Sequence, residues 1–316
     1  MRILVTGAAG FIGSHLCEQL LVDQNNEVIG VDTFIGPTPP SLKQINLANL
    51  QVHPRFKLYP IDLLTADLDK LVEKVDIIYH LAAIPGVRAS WGKDFDPYVT
   101  NNIFVTQRLL EAIKDKPIEK FIYASTSSVY GEKNGKVSED DILTPLSPYG
   151  ITKLTGEHLC NVYQKSYIIP IVKVRFFTVY GPRQRPDMAF HRFIKQILND
   201  EPISIFGDGT QTRDFTFISD CINATSSIIK KDNVVGETIN IGGKERASVN
   251  EVVLMIEELT GKKANIVYLP KLNGEPKHTW ADISNAQKLL DYDPKISLKE
   301  GLAREIEYIR SAYSLF

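Results

Sequence analysis

Cysteine is scarce: Cys17, Cys160 and Cys221 are the only three in 316 residues. They stand far apart without CxxC spacing, which excludes a disulfide framework or a cysteine-based zinc site and fits a reducing compartment. Runs of like charge are also missing. With 36 basic and 38 acidic residues and a formal net charge of −2, no electrostatic footprint for nucleic acid or a membrane surface stands out. Long apolar runs are absent as well. The one that opens MRILVTGAAGFIG is cut short by a turn, too early for a signal peptide and far short of a spanning helix. The six histidines show no ligand spacing, so no metal is expected. These absences leave a cytoplasmic protein acting on a small molecule. Apolar residues at 43% supply ample core for one large domain or two smaller ones.

Short apolar runs recur at 3–7, 28–32, 57–61, 76–83, 120–125 and 171–177, with helical periodicity between most of them, notably over 11–23, 98–115 and 149–166. This alternation predicts an α/β fold with a parallel sheet covered on both faces. It weakens after about residue 178, where GPRQRPDM leads into a helix, a short ISIF run and the turn GDGT. FTFIS (215–219) and TINIG (238–242) are expected to return to the first sheet. The division that follows is a doubly wound domain over 1–177 and 212–245, and a smaller, discontinuous α/β domain over 178–211 and 246–316.

Gly7, Gly10 and Gly13 lie between the first strand and the first helix. Glycines there permit a tight turn, let backbone N–H groups approach a pyrophosphate and allow close helix–sheet packing, while the helix N-terminus favours negative charge. Asp32 ends the second strand nineteen residues after Gly13. A carboxylate at that place accepts hydrogen bonds from ribose hydroxyls and repels a 2′-phosphate, and no arginine follows it closely, which favours NAD over NADP. Asp62, after the third strand, is a second candidate on the adenine side.

Tyr149 and Lys153 stand four residues apart in SPYGITKLTGEHL, hence on one helix face. A phenol is a poor base at neutral pH, but a nearby ammonium and a nicotinamide cation both favour phenolate, so the pair makes a proton-transfer device. GAAGFIG, this YxxxK pair and STSSVYG (125–131) together resemble the extended short-chain dehydrogenase/reductase family over nearly the whole chain. LAAIPGVRASW (81–91) and RFFTVYGPRQRPDM (175–188) are most similar to its UDP-glucuronate 4-epimerases.

The resemblance implies a Rossmann domain carrying NAD beside a smaller UDP-sugar domain. It makes Thr126 the hydroxyl partner of Tyr149, and it places Asn101 or Asn102, with Lys153, at the cofactor ribose and nicotinamide. It extends the cofactor contacts to Phe11, Ile12, Leu63, Leu81, Ala82 and Ala83. Arg213 becomes a diphosphate contact, with Thr178 beside it where many relatives carry asparagine, and Glu275 a uridine ribose contact. Phe206 flanks the uracil. Arg185 and Arg88 serve the diphosphate or a uronate carboxylate. A homodimer through the helices at 98–115 and 149–166 is implied in the same way.

The hydroxyls of STSSVYG bear on the reaction. Relatives that eliminate water carry an acidic pair just after the catalytic threonine, and UDP-glucuronate decarboxylases carry glutamate immediately before VYG; here Ser127 and Ser128 stand at those positions. Hydroxyls cannot supply that acid–base chemistry, but they can hold a substrate carboxylate. On an extended chain Thr126 and Ser128 point one way and Ser127 the other, so Ser127 reaches the substrate only if the strand has ended. The expected activity is NAD-dependent 4-epimerisation of UDP-glucuronate through a 4-keto sugar. The alternatives are a UDP-glucose/UDP-galactose 4-epimerase and, from another class, a non-catalytic NAD-binding regulator.

Overall fold

The computed structural model describes residues 1–314. Its first half alternates β1 (Arg2–Thr6), α1 (Phe11–Leu21), β2 (Glu27–Val31), α2 (Pro40–Gln51), β3 (Phe56–Tyr59), α3 (Leu68–Leu71) and β4 (Ile77–His80). After β4 come α4 (Asp96–Tyr98), α5 (Val105–Ile113), β5 (Lys120–Thr126), α6 (Pro148–Tyr167) and β6 (Ile171–Phe176). The second half adds β7 (Thr178–Tyr180), α7 (Ala189–Leu198), β8 (Ile203–Phe206), β9 (Thr212–Phe217), α8 (Ile218–Ser227) and β10 (Thr238–Ile241). It closes with β11 (Glu245–Ser248), α9 (Val249–Thr260), β12 (Ile266–Leu269), α10 (Ser284–Leu290) and α11 (Leu298–Tyr313).

Seven strands form one sheet in the order β10-β6-β5-β4-β1-β2-β3, and every pairing in it is parallel. The inner strands β4 and β6 are buried along their whole length, as an all-parallel sheet covered on both faces requires. The chain runs from β1 outward through β2 to β3 and then crosses back to β4 on the other side of β1, so a crevice opens beyond the carboxyl ends of β1 and β4, where open α/β sheets bind ligands.

One expectation is corrected and one refined. FTFIS does not return to the first sheet: β9 pairs antiparallel with β11 and parallel with β7 in a separate three-stranded sheet. The free edge of β6 is taken by β10 instead, and an apolar run does not by itself encode which edge it will meet. The helix expected over 98–115 runs from Asp96 to Ile113, with a π-helical stretch over Val99–Phe104 between α4 and α5. Such wider turns change the direction in which side chains project and recur at functional sites.

The helix that carries Tyr149 and Lys153 is fixed at its start and along its length. Ser147 caps α6 by accepting from the Gly150 N–H at 3.1 Å, and Pro148 supplies a preset first turn. Gly156 then lets α6 lie directly on β5, since a Cβ there would stand 2.0 Å from the Tyr123 hydroxyl. The apolar core runs without a break from Ile3 and Val5 through Phe215 and Ile256 to Leu302, so the later segments pack onto the same interior as the sheet. Among the described residues, no helix is long and apolar enough to cross a membrane.

Candidate functional site

The turn after β1 has the shape a pyrophosphate requires. A Cβ on Gly13 would stand 2.1 Å from the Gly7 carbonyl oxygen, so only glycine lets the turn fold back on α1. Gly10 is the N-cap of α1 and offers no side-chain cap, which leaves the first-turn N–H groups of Phe11, Ile12 and Gly13 for an anion. The Phe11 and Ile12 side chains themselves pack into the core, so only their backbone is available.

A cleft beside this turn is lined by Gly7, Asp32, Asp62, Leu63 and Asn101, and by Leu81, Ala82 and Ala83 just past β4. The sequence left Asn101 and Asn102 as alternatives, and the structure separates them. Asn101 lines the cleft, whereas Asn102 is fully buried and grips the Ile84 peptide, accepting from its N–H at 2.7 Å and donating to its carbonyl at 3.0 Å.

Several residues that the sequence reading passed over shape this cleft. Lys43 from α2 donates to Asp32 Oδ1 at 2.8 Å, so Asp32 has a basic neighbour after all. Asp32 also accepts from the Ala9 and Phe34 N–H groups. The available signal was polar Lys43 and Asn46 on the same buried face as Leu42, Leu47 and Leu50. Arg108 from α5 donates to the Leu63 and Ala66 carbonyl oxygens and holds the loop that carries Asp62. His80, at the end of β4, is bonded at both ring nitrogens, Nδ1 to Thr6 Oγ1 at 2.9 Å and Nε2 to Thr106 Oγ1 at 3.0 Å. The Thr106 hydroxyl donates to the Asn102 carbonyl oxygen, so the imidazole carries a proton at Nε2 and donates to Thr106. Burial, and secondarily the Lys153 charge, push its pKa down to about 3.

Tyr149 and Lys153 face β5 from α6. Burial raises the Tyr149 pKa, while the Arg185 guanidinium and a hydrogen bond with Thr126 pull it back. The Lys153 ammonium lies over the Tyr123 ring, 4.2 Å from its centre, and burial lowers its pKa to about 8. One turn further along α6, Glu157 accepts from Ser125 and forms a buried ion pair with Arg175, with Arg175 Nη2 to Glu157 Oε2 at 2.8 Å. Tyr98 stands edge-on to Tyr149, ring centres 6.2 Å apart.

The hydroxyl stretch leaves the strand at once. β5 ends at Thr126, which caps a single 3₁₀ turn over Ser127–Val129, accepting from the Ser128 N–H at 3.2 Å and donating to Ser128 Oγ at 3.3 Å. The strand alternation therefore no longer governs Ser127. Thr178 opens β7, two residues past Phe176, the register partner of Thr126.

The remaining candidates gather further out. Arg88 Nε donates to Glu275 Oε1 at 2.6 Å, Arg213 Nη2 donates to Glu275 Oε2 at 3.4 Å, and Arg88 lies 4.5 Å from the centre of the Phe206 ring. Arg192 on α7, which the sequence reading did not single out, is held below its usual pKa by burial and by the Arg88 charge. Arg185 is engaged at two nitrogens by Asp187, each at 2.9 Å.

Comparison with known proteins bears on this arrangement. Residues 3–242 match the model of the family described as "NAD dependent epimerase/dehydratase family". The chain is 60% identical to the crystallised UDP-glucuronic acid 4-epimerase from Bacillus cereus in complex with UDP-glucuronic acid and NAD, with a TM-score of 0.98 over 99% of this chain and 100% of that one. It is 62% identical, over 99% of both chains, to a Bacillus subtilis protein named uncharacterized UDP-glucose epimerase YtcB. A UDP-glucuronate 4-epimerase of Thermodesulfobacterium geofontis is 43% identical over 99% of this chain and 97% of its own.

Proposed function

The chain belongs to the NAD dependent epimerase/dehydratase family, and from that membership we propose that it inverts C4 of UDP-glucuronate to give UDP-galacturonate, with NAD as its cofactor. It is an isomerase acting on a UDP-sugar. The observation that carries the uronate is the 60% identity over 99% of the chain to a UDP-glucuronic acid 4-epimerase, and Arg185, whose charge lowers the Tyr149 pKa, supplies a cation to match it. A cation beside the proton acceptor for C4 lies within reach of a carboxylate on the neighbouring carbon of the sugar ring, and guanidinium suits that anion.

The residues divide the work. First-turn N–H groups of α1 receive the pyrophosphate, Asp32 with Lys43 the adenosine ribose, and Asp62 with Leu63 the adenine. When bound, NAD supplies the site that takes up the C4 hydride and gives it back, so no net redox change occurs. Tyr149 accepts the proton of the 4-hydroxyl and later returns it. Thr126 orients that phenol. Lys153 contributes positive charge in its protonated form, and the nearby Glu157 carboxylate favours that form. Ser127 and Ser128 hold the uronate carboxylate by donating hydrogen bonds, with Arg185 as its counter-charge. Arg88 and Arg213 receive the diphosphate near Thr178, and Phe206 and Glu275 the uridine.

In this reading residues 1–177 and 212–245 form the cofactor domain and 178–211 and 246–316 the sugar-nucleotide domain. A homodimer through α5 and α6 accounts for exposed Phe104, Ile151, Val162 and Tyr167 on and beside those helices. Free, buried Cys17, Cys160 and Cys221 accord with a cytoplasmic setting.

A UDP-glucose 4-epimerase is the second reading, favoured by the forked Asp187 contact, which offsets the Arg185 charge. Offering UDP-glucuronate, UDP-glucose and a UDP-pentose separately, with products identified by NMR, decides between them. Galacturonate formation supports the first reading. Turnover of UDP-glucose alone overturns it.

A further inference from the structure

Arg88 lies against the ring and the carboxylate assigned above to the uridine. Its guanidinium covers one face of Phe206, and it shares the two carboxylate oxygens of Glu275 with Arg213. The segment that carries Arg88 is anchored at its root, where Asn102 grips the Ile84 peptide and the Tyr98 hydroxyl donates to the Pro85 and Gly86 carbonyl oxygens. Its far end reaches the Glu275 segment, because Trp91 packs against Gly274 closely enough that a Cβ there would stand 3.0 Å from the indole nitrogen. Arg88 and Arg213 share the one Glu275 carboxylate, and the Arg88 charge is also felt at Arg192, where Asp187 opposes it.

We propose that Arg88 is a placeholder for the nucleotide: without ligand it covers Phe206 and pairs with Glu275, and the diphosphate of an arriving UDP-sugar draws it away, freeing the ring for the base and the carboxylate for the ribose. This inference rests on the UDP-sugar reading given above. The exchange is favourable only when an anion is offered in return, because guanidinium gives up one carboxylate for a more highly charged, forked partner. A bare nucleoside offers no such anion and must displace Arg88 without compensation. Arg88 thereby selects nucleoside diphosphates against nucleosides by penalising the wrong ligand as well as by attracting the right one.

The Arg88 side chain is 43% exposed, so its ion pair and its contact with the ring are each weak, and the penalty amounts to about threefold to tenfold in affinity. Calorimetry on the NAD-loaded protein with uridine and with UDP tests it. In Arg88→Ala, uridine should bind at least about threefold more tightly than in the wild type while UDP binds more weakly. Arg88→Gln, which keeps the length but not the charge, should give the same two signs. Uridine affinity that is unchanged or reduced in both variants overturns the proposal, even if UDP weakens, because Arg88 is then only a diphosphate contact. Should the wild-type protein fail to bind UDP at all, the UDP-sugar reading falls and takes this inference with it.

Discussion

The Lys43 ammonium lies 2.8 Å from the Asp32 carboxylate, and both side chains are buried. The Lys43 charge, suited to a 2′-phosphate, is thus already committed to Asp32, and the carboxylate remains in place to repel one. NAD should bind at least tenfold more tightly than NADP, about 1.4 kcal/mol; equal affinities in calorimetry would overturn this. Lys43→Ala strands a buried carboxylate that keeps only two backbone donors, and it should lower stability by about 3 kcal/mol, read as an earlier urea midpoint.

Tyr149→Phe keeps the ring and its edge contact with Tyr98 but removes the proton acceptor. Turnover should fall at least about a hundredfold, within the range typical of general acid–base catalysis. UDP-sugar affinity should stay close to that of the wild type. Near-normal turnover would mean that another group takes the 4-hydroxyl proton.

Oxidation of glucuronate at C4 creates a β-keto acid, which loses CO₂ when the bond to the carboxylate aligns with the carbonyl π system. Ser128 sits on the turn that Thr126 caps, where a hydroxyl can donate to the carboxylate without repelling it. Ser128→Glu puts like charge there. It should slow epimerisation and raise the share of pentose product from UDP-glucuronate, with Ser128→Ala giving a weaker form of the same leak. The pentose-to-galacturonate ratio by NMR is the measurement, and a ratio at the wild-type level in two folded, active variants rules out this role.

His80 gives stability a pH dependence of known sign. Its folded pKa of about 3 lies below the usual 6.5, so between those values the unfolded chain binds more protons. Its contribution is therefore fully present above about pH 6.5 and is lost as pH falls toward 3. His15 and His191, each lowered to about 4, act in the same direction, while Asp214, raised to about 6, opposes them. Comparing wild type with His80→Asn cancels those shared terms. Urea titrations should show the wild type losing on the order of 2 kcal/mol more than the variant between pH 6.5 and about 5. Parallel losses would show that the imidazole is not held neutral.

What could be read from the sequence is what short-range geometry fixes. Gly7, Gly10 and Gly13 were legible because a tight turn between strand and helix leaves no room for a Cβ at Gly13. Tyr149 and Lys153 were legible as a helical pair because four residues make about one turn. The alternation of apolar runs likewise gave six strands of the parallel sheet, since burial on both faces leaves a local mark in each strand. Partners supplied from elsewhere in the chain leave no such mark. Lys43 reaches Asp32 only because α2 packs across the end of β2, and Arg88 meets Glu275 across a sequence separation of 187. The choice between Asn101 and Asn102 turned on a π-helical stretch that periodicity at 3.6 residues does not reveal. The edge that β9 joins and the ring under Lys153 were likewise decided by tertiary contacts. Periodicity and backbone sterics act within a few residues and are written into the order of the chain, whereas an ion pair or a strand edge depends on which distant groups arrive within a few ångströms.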